Sequence, residues 1–401
     1  MRPATRSART SQNGALAAAL AGLAGVTAAA AGAGSARVAV AGIIGAFAGF
    51  ALYHASFGFT SAWRRIVTER RGAGLRAQMV LISATAVVSF PLIAHGGEIG
   101  VPAQGLVMPF GLGAALGAAL FGAGMQLGSG CGSGTLYTAG GGNSRMMVTL
   151  AAFIAGSFVA TAHIPFWRAL PAFAPTSLIG DLGMGAALAL TLALAGAIAA
   201  ASIVIELRAH RSLSEPGRTR SWISGPWAPL AGALALALVG IATLAVVGRP
   251  WGITSGFALW GAKIAHASGV PVVDWPYWRG QAAAIERSVF ADTTSVMNFG
   301  LMLGAMAAAA LAGGYRPKLR LGASEIVTAI AGGLMMGYGA RLAFGCNIGG
   351  FLGGVISGSL HGWGWLVFGF LGSVAGTRLR IWTGMDPASA PGPPAGAIEA
   401  R

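Results

Sequence analysis

Ten apolar runs, each nearly free of charge, recur from one end of the chain to the other: Gly14–Gly34, Val38–Phe57, Met79–Ala94, Gly105–Leu127, Met146–Ala162, Leu182–Ile205, Pro229–Val247, Val296–Gly314, Ile326–Leu342 and Trp363–Val374. A helix needs about 20 mostly apolar residues to cross a bilayer. Several runs reach that length and others fall short, which predicts about nine or ten spans. Composition removes the alternative of one large water-soluble core. Charged residues make up 9% of the 401 and hydrophobic ones 55%, whereas a soluble domain carries about 25% charged residues. The chain reads as an all-α integral membrane protein.

The net charge of +15 does not point to nucleic acid. The charges are spread over short loops, with no basic patch interleaved with aromatics on a soluble domain. Cytoplasmic loops of membrane proteins are enriched in Lys and Arg, and three loops fit that rule: Arg64–Arg76, Arg208–Arg220 and Arg316–Arg320. With these loops, the amino terminus, Arg378 and Arg380 inside, both termini are expected to be cytoplasmic. The opening MRPATRSART and the apolar stretch after it also resemble a secretory signal peptide; an uncleaved first helix is the preferred reading. The expected organisation is a tail and first helix (1–36), a first half (37–207), a basic cytoplasmic loop (208–227), a second half (228–380) and a disordered C-terminal tail (381–401).

The two halves come from an internal repeat. GAGMQLGSGCGSGT (Gly122–Thr135) aligns with GYGARLAFGCNIGG (Gly337–Gly350), with six of fourteen positions identical, including Cys131 over Cys346. Upstream, FGFTSAW (Phe57–Trp63) aligns with WGITSGF (Trp251–Phe257), in the same order in both halves. The charge-derived orientation makes the span before Cys131 and the span before Cys346 run in opposite directions. Inverted-topology repeats around a site near the midplane are therefore expected, as in many transporters.

Each of the four motifs follows a span and is too polar or glycine-rich to continue it. Irregular backbone at membrane depth persists only where protein buries it or a cavity is lined by it. The segments after the motifs, Ser61–Val67, Gly134–Ala139, Gly256–Ala265 and Gly349–Ser359, are predicted to be re-entrant half-helices. Their free N–H groups and dipoles attract anions. The candidate path residues are Gly58, Thr60 and Ser61, then Gly130, Cys131 and Ser133, then Gly252, Thr254 and Ser255, and last Gly345, Cys346 and Asn347. Arg341, just ahead of Cys346, either attracts an anion or snorkels to an interface; attraction is slightly favoured. Gly122, Gly124, Gly337 and Gly339 are better read as helix-packing residues.

The two cysteines are 215 positions apart (346 − 131) and form no CxxC pair or zinc spacing, so no metal or cofactor is expected. A free cysteine in a membrane is usually a small hydrophobe. Here the repeat superimposes the only two, which favours the other reading: a neutral thiol is a weak donor with a polarisable sulfur, suited to a sulfur-containing anion. Lone His54, His163 and His361 are expected to be structural. The outside stretch from Lys263 to Arg287, with WPYW at Trp275–Trp278, reads first as an interfacial aromatic belt and second as a vestibule. Asp and Glu are almost missing from the spans, so a carboxylate proton relay has little material.

GARLAFGCNIGG, GSGCGSGTLY, WGITSGFALWGAK and FGFTSAWRRIVTERRGAGLRAQ resemble the signature segments of the YeeE/YedE family of sulfur transport proteins, over roughly Phe57 to Arg380. The resemblance implies uptake of thiosulfate, or a related sulfur compound, across the bacterial inner membrane. It also implies thiols, here Cys131 and Cys346, that pass the ion along by hydrogen bonds to its terminal sulfur. The family carries a further cysteine in the first motif, where this sequence has Gly58. Two other readings compete: a membrane-embedded thiol sulfurtransferase, and a membrane subunit that docks a soluble sulfur-handling partner through the Arg208–Arg220 loop. An enzyme using either thiol would need a base or cation beside it, and neither motif has a His within several residues.

Overall fold

The computed structural model describes residues 6–101, 103–214, 217–317 and 320–385. Beyond residue 385 the expected C-terminal tail lies outside the described residues, as do Glu215, Pro216, Lys318 and Leu319 of the basic loops. In chain order the helices are α1 (Arg6–Ala33), α2 (Ala36–Ala55), α3 (Phe59–Thr68), α4 (Ala73–His95), α5 (Leu112–Gly128), α6 (Gly132–Gly140), α7 (Ser144–Arg168), α8 (Leu178–Leu182), α9 (Met184–His210), α10 (Pro229–Val247), α11 (Thr254–Ala267), α12 (Ala282–Glu286), α13 (Thr293–Leu311), α14 (Ala323–Leu342), α15 (Gly353–Val355) and α16 (Leu360–Trp382). A π-helical turn, Asn347–Leu352, leads into α15. The described strands are β1 (Phe110–Gly111) and β2 (Ala172–Phe173), an antiparallel pair that ties the start of α5 to the chain beyond α7.

Nine described helical stretches are long and apolar enough to cross a membrane. The 23-residue α16 carries Arg378 and Arg380 and is not one of the nine. The apolar run expected from Gly105 becomes helical only at Leu112. Together these make an all-α integral membrane protein.

Small residues decide how the helices meet. In a bilayer no hydrophobic force drives helices together, so close backbone packing has to hold them. A Cβ on Gly117 would come 2.8 Å from the Gly339 carbonyl, and one on Gly124 would come 2.9 Å from that of Gly332. These pairings run α5 and α14 antiparallel. Gly122 similarly has the Gly369 backbone of α16 against it, Gly337 has Phe153 of α7, and Gly339 has Gly117. The packing reading of those four glycines is what the helices use. The main pairings cross the middle of the sequence: α7 packs on α14, α16 on α5, α13 on α2 and α10 on α4.

Aromatic rings fill the centre. Phe59 of α3 meets Phe351 at 6.0 Å between ring centroids, Phe351 stacks on Trp365, Trp365 meets Phe121 at 5.5 Å, and Phe153 bridges Phe121 to Phe257 of α11. All of these rings are buried, so a chain of side chains joins α3, the π turn and α11. Glu206, near the end of α9, is the only buried carboxylate among the described residues. It pairs with Arg71 at 3.1 Å and Arg76 at 2.8 Å, and accepts from the backbone N–H of Gly72 and of Ser214 and from the Ser214 hydroxyl.

Candidate functional site

The four motifs break their helices in related ways. After α2, Ser56 is left-handed (φ 47°) and Gly58 caps α3. After α5, Ser129 is left-handed (φ 63°); after α14, Phe344 is left-handed (φ 60°). Ser129 and Phe344 are equivalent in the sequence repeat. Two residues on, Cys131 (φ −83°, ψ −168°) and Cys346 (φ −87°, ψ −168°) are the N-caps of α6 and of the π turn. Gly345, before the second cysteine, has φ 149°, and a Cβ there would strike the Gly350 backbone. That position needs glycine. Gly130 is less constrained: its nearest neighbour to an added Cβ is the Thr135 nitrogen at 3.2 Å.

The four short segments exist, and each begins two residues earlier than the sequence suggested: Phe59, Gly132, Thr254 and Asn347. Their starts lie close together. A Cβ on Gly132 would sit 2.9 Å from the Cys346 sulfur and 3.7 Å from the Ile253 side chain. A Cβ on Gly349 would sit 3.7 Å from the Gly252 Cα, and one on Gly58 would sit 3.9 Å from the Tyr137 hydroxyl of α6. Both cysteines are free and buried, and the Cys131 sulfur lies 3.5 Å from the Ser133 hydroxyl.

Two side chains at these starts are buried without a partner. Thr60, in the first turn of α3, leaves its hydroxyl unbonded, and Asn347 leaves both polar atoms of its carboxamide unbonded. An unsatisfied buried polar group costs about 1–3 kcal/mol, so each calls for a specific explanation such as water or a ligand. The other hydroxyls have partners: Ser61 donates to the Gly58 carbonyl at 3.3 Å, and Ser255 to Thr294 at 3.3 Å.

Two recesses flank the motifs. One, of about 430 Å³, is lined by Gly252, Thr254, Ser255, Gly345 and Gly349 together with Arg168, Arg249 and Arg341, and among the described residues no carboxylate lines it. Arg341 donates to Thr254 at 2.7 Å and to the Tyr277 hydroxyl at 3.2 Å, so its head group is held at the recess. The other, of about 230 Å³, is lined by Gly58, Ser61, Arg65, Arg71 and Gln78. Pro229, the first residue of α10, lines the smaller recess, whereas Arg249 to Ser255, just past the end of α10, line the larger. At about 1.5 Å rise per residue, the 19 residues of α10 set the recesses at opposite ends of a membrane-length helix.

Sequence reasoning passed over Arg168, Arg249, Tyr137, Gln78 and Asn298. Arg249 had a usable signal, a cation two residues ahead of WGITS. In the WPYW stretch the fold favours the second reading, a vestibule, for Tyr277 and buries Trp278. Trp278 is buried with Ala258, Leu259 and Ala262 of α11 and donates to Thr161 of α7 at 3.1 Å, while Tyr277 lines the larger recess. The reason is α11, which stops short and leaves an apolar flank for these rings to cover.

A sulphur transport family model matches residues 54–375. A probable transporter YedE of Salmonella typhimurium is 31% identical over 162 residues, 40% of this chain and 40% of that protein. A probable transporter YedE of Escherichia coli is 30% identical over 161 residues, with the same shares. The thiosulfate transporter TsuA of Spirochaeta thermophila is 42% identical over 74 residues, 18% of this chain and 22% of TsuA. The matched stretches therefore span 40% or less of these curated relatives. The family match takes in all four motifs and both cysteines, and the chain belongs to the sulphur transport family.

Proposed function

We propose that this protein is a permease of the bacterial inner membrane that takes up thiosulfate, or a related sulfur-containing anion, along a path lined by Cys131 and Cys346. The observation that carries this reading is the pair of buried thiols, capping two breaks with matching backbone angles and abutting through Gly132. The recesses support a direction. The arginine-lined recess of Arg168, Arg249 and Arg341 is the outer mouth, where positive charge concentrates an anion. The recess of Gly58 and Ser61, beside the basic loop 64–76, is the inner one.

Between them the anion leaves water for half-helix N–H groups and thiol donors. A protonated thiol donates a weak, polarisable hydrogen bond to a terminal sulfur and adds no negative charge. The unbonded carboxamide of Asn347 supplies a further donor next to Cys346. Thr60 offers the same at α3. Inverted halves are part of the proposal. Reciprocal packing supports them: α14 of the second half lies on α7 of the first, and α5 of the first lies on α16 of the second. TsuA, matched over a short stretch, is named a thiosulfate transporter, and that supports the choice of ion.

Purified protein in proteoliposomes, with no partner present, is expected to show saturable uptake of radiolabelled thiosulfate, with sulfate, sulfite and selenite as competitors. Absence of saturable uptake would overturn the reading in favour of an enzyme or a subunit that needs a soluble protein.

A further inference from the structure

We propose that Gln78 and Asn298 are positioning residues, one in each half, that hold the anion-facing ends of α3 and α11 by donating to a cap carbonyl. Gln78 on α4 donates its carboxamide N–H to the Gly58 carbonyl at 3.4 Å, sharing it with the Ser61 hydroxyl at 3.3 Å, and Asn298 on α13 donates to the Ile253 carbonyl at 2.9 Å. Gly58 and Ile253 are the N-caps of α3 and α11. Gln78 lies on the long helix that follows α3, and Asn298 on the long helix that follows α11. The inference rests on the transport reading above.

The physical reason lies in the charge at a helix start. Its N–H groups attract an anion, but the N-cap carbonyl beside them carries negative partial charge and one lone pair beyond the helix's own bond. A donor on that lone pair removes the repulsion and fixes where the N–H groups point. The cysteine breaks use the same device. Thr135 donates its hydroxyl to the Cys131 carbonyl at 2.8 Å, and Trp365 donates its indole N–H to the Gly345 carbonyl at 3.2 Å. Each of the four breaks thus has a side-chain donor at, or one residue before, its cap.

Stability does not explain Asn298, and explains Gln78 only through its bond from the Trp63 indole. Both are buried, at 1% and 0% exposure, and Asn298 leaves its Oδ1 without a partner. An apolar side chain at 298 would remove the unbonded Oδ1 and leave the Ile253 carbonyl its bond from the Gly256 N–H, whereas one at 78 would leave the buried Trp63 indole N–H unpaired. A second observation points to a ligand at α3: Thr60, in the same first turn, is 4% exposed with its hydroxyl unbonded, while Gln126 donates to its carbonyl at 3.1 Å.

The test separates donation from mere filling of space. Gln78 also accepts from the Trp63 indole at 2.9 Å. Gln78→Glu keeps that acceptor and the side-chain volume but loses the amide donor, and Asn298→Asp does the same in the other half. Gln78→Met and Asn298→Leu remove the polarity altogether. In proteoliposomes at pH 8, each of the four variants is expected to raise the KM for thiosulfate about fivefold, the factor that one hydrogen bond of net free energy represents. The maximal rate should stay within about twofold for protein still folded at the assay temperature. The unfolding temperature in detergent should fall most in the two acidic variants, which bury a charge, and in Gln78→Met, which leaves the Trp63 indole unpaired, and least in Asn298→Leu. Wild-type KM in Gln78→Glu and Asn298→Asp would overturn this inference alone, as would a loss of rate at unchanged KM. Failure of the wild-type protein to take up thiosulfate would overturn the transport reading and this inference with it.

Discussion

Each thiol is worth testing against its closest replacements. Serine at position 131 or 346 keeps a donor of nearly the same shape but replaces a soft sulfur with a hard oxygen, and alanine removes the donor. Both cysteines are buried, and a thiol's net hydrogen-bond contribution is about 1 kcal/mol or less, so folding should survive either change. Cys131→Ser, Cys346→Ser and the alanine variants are each expected to cut uptake at least about tenfold, or about 1.4 kcal/mol. Growth on thiosulfate as sole sulfur source, in a strain without its own uptake systems, reads this out; wild-type growth of both alanine variants would make the thiols bystanders. At this scale the cysteines were legible because the repeat superimposes them. Gln78, Asn298 and Arg249 were not, because a single polar residue in or beside an apolar run has no periodic signal. Only the fold shows which carbonyl or recess it faces.

Short helices carry the polar chemistry, and their breaks were easier to read than their boundaries. Glycine, cysteine and isoleucine at the caps give no capping side-chain bond, so the usual start signal was missing and each start was placed two residues late. The geometry of the break makes Gly345 the most sensitive position. Its φ of 149° and the Gly350 nitrogen facing its Cβ position leave no room for a side chain, whereas a Cβ on Gly130 meets nothing closer than 3.2 Å. Gly345→Ala is expected to reduce uptake more than Gly130→Ala, with both proteins present in the membrane in comparable amount. Equal activity of the two would mean that the π turn tolerates displacement of its cap. The WPYW stretch had two readings for a related reason: aromatic composition is the same for a lipid-facing belt and for a vestibule wall, and only the fold puts Tyr277 at the larger recess and Trp278 against α11.

Across the whole molecule, the all-α membrane class and the family were plain in the apolar runs and four motifs. Orientation is a prediction with a direct measurement. Arg70 and Arg279 are both exposed; a cysteine placed at 70 should react with an impermeant thiol reagent only after the cells are opened, and one at 279 in intact cells. Labelling of position 70 from outside would defeat the inverted arrangement. The buried native cysteines give little background. Glu206 has a further consequence. The only buried carboxylate among the described residues is fully engaged by Arg71, Arg76 and Ser214, leaving no buried acidic group to carry a proton or sodium ion alongside the substrate. If the proposed substrate is thiosulfate and no cation travels by another group, it crosses with both its charges uncompensated and the flux is an electrical current. An interior-negative membrane voltage opposes entry of two negative charges by about 4.6 kcal/mol per 100 mV. Accumulation would depend on how fast the cell consumes the ion. In proteoliposomes, a potassium diffusion potential with valinomycin should speed uptake when the lumen is positive and slow it when the lumen is negative. Voltage-independent rates would reveal a co-transported cation. With uncoupled uptake, a cell would set its sulfur supply by metabolic demand, the voltage acting as a brake on entry.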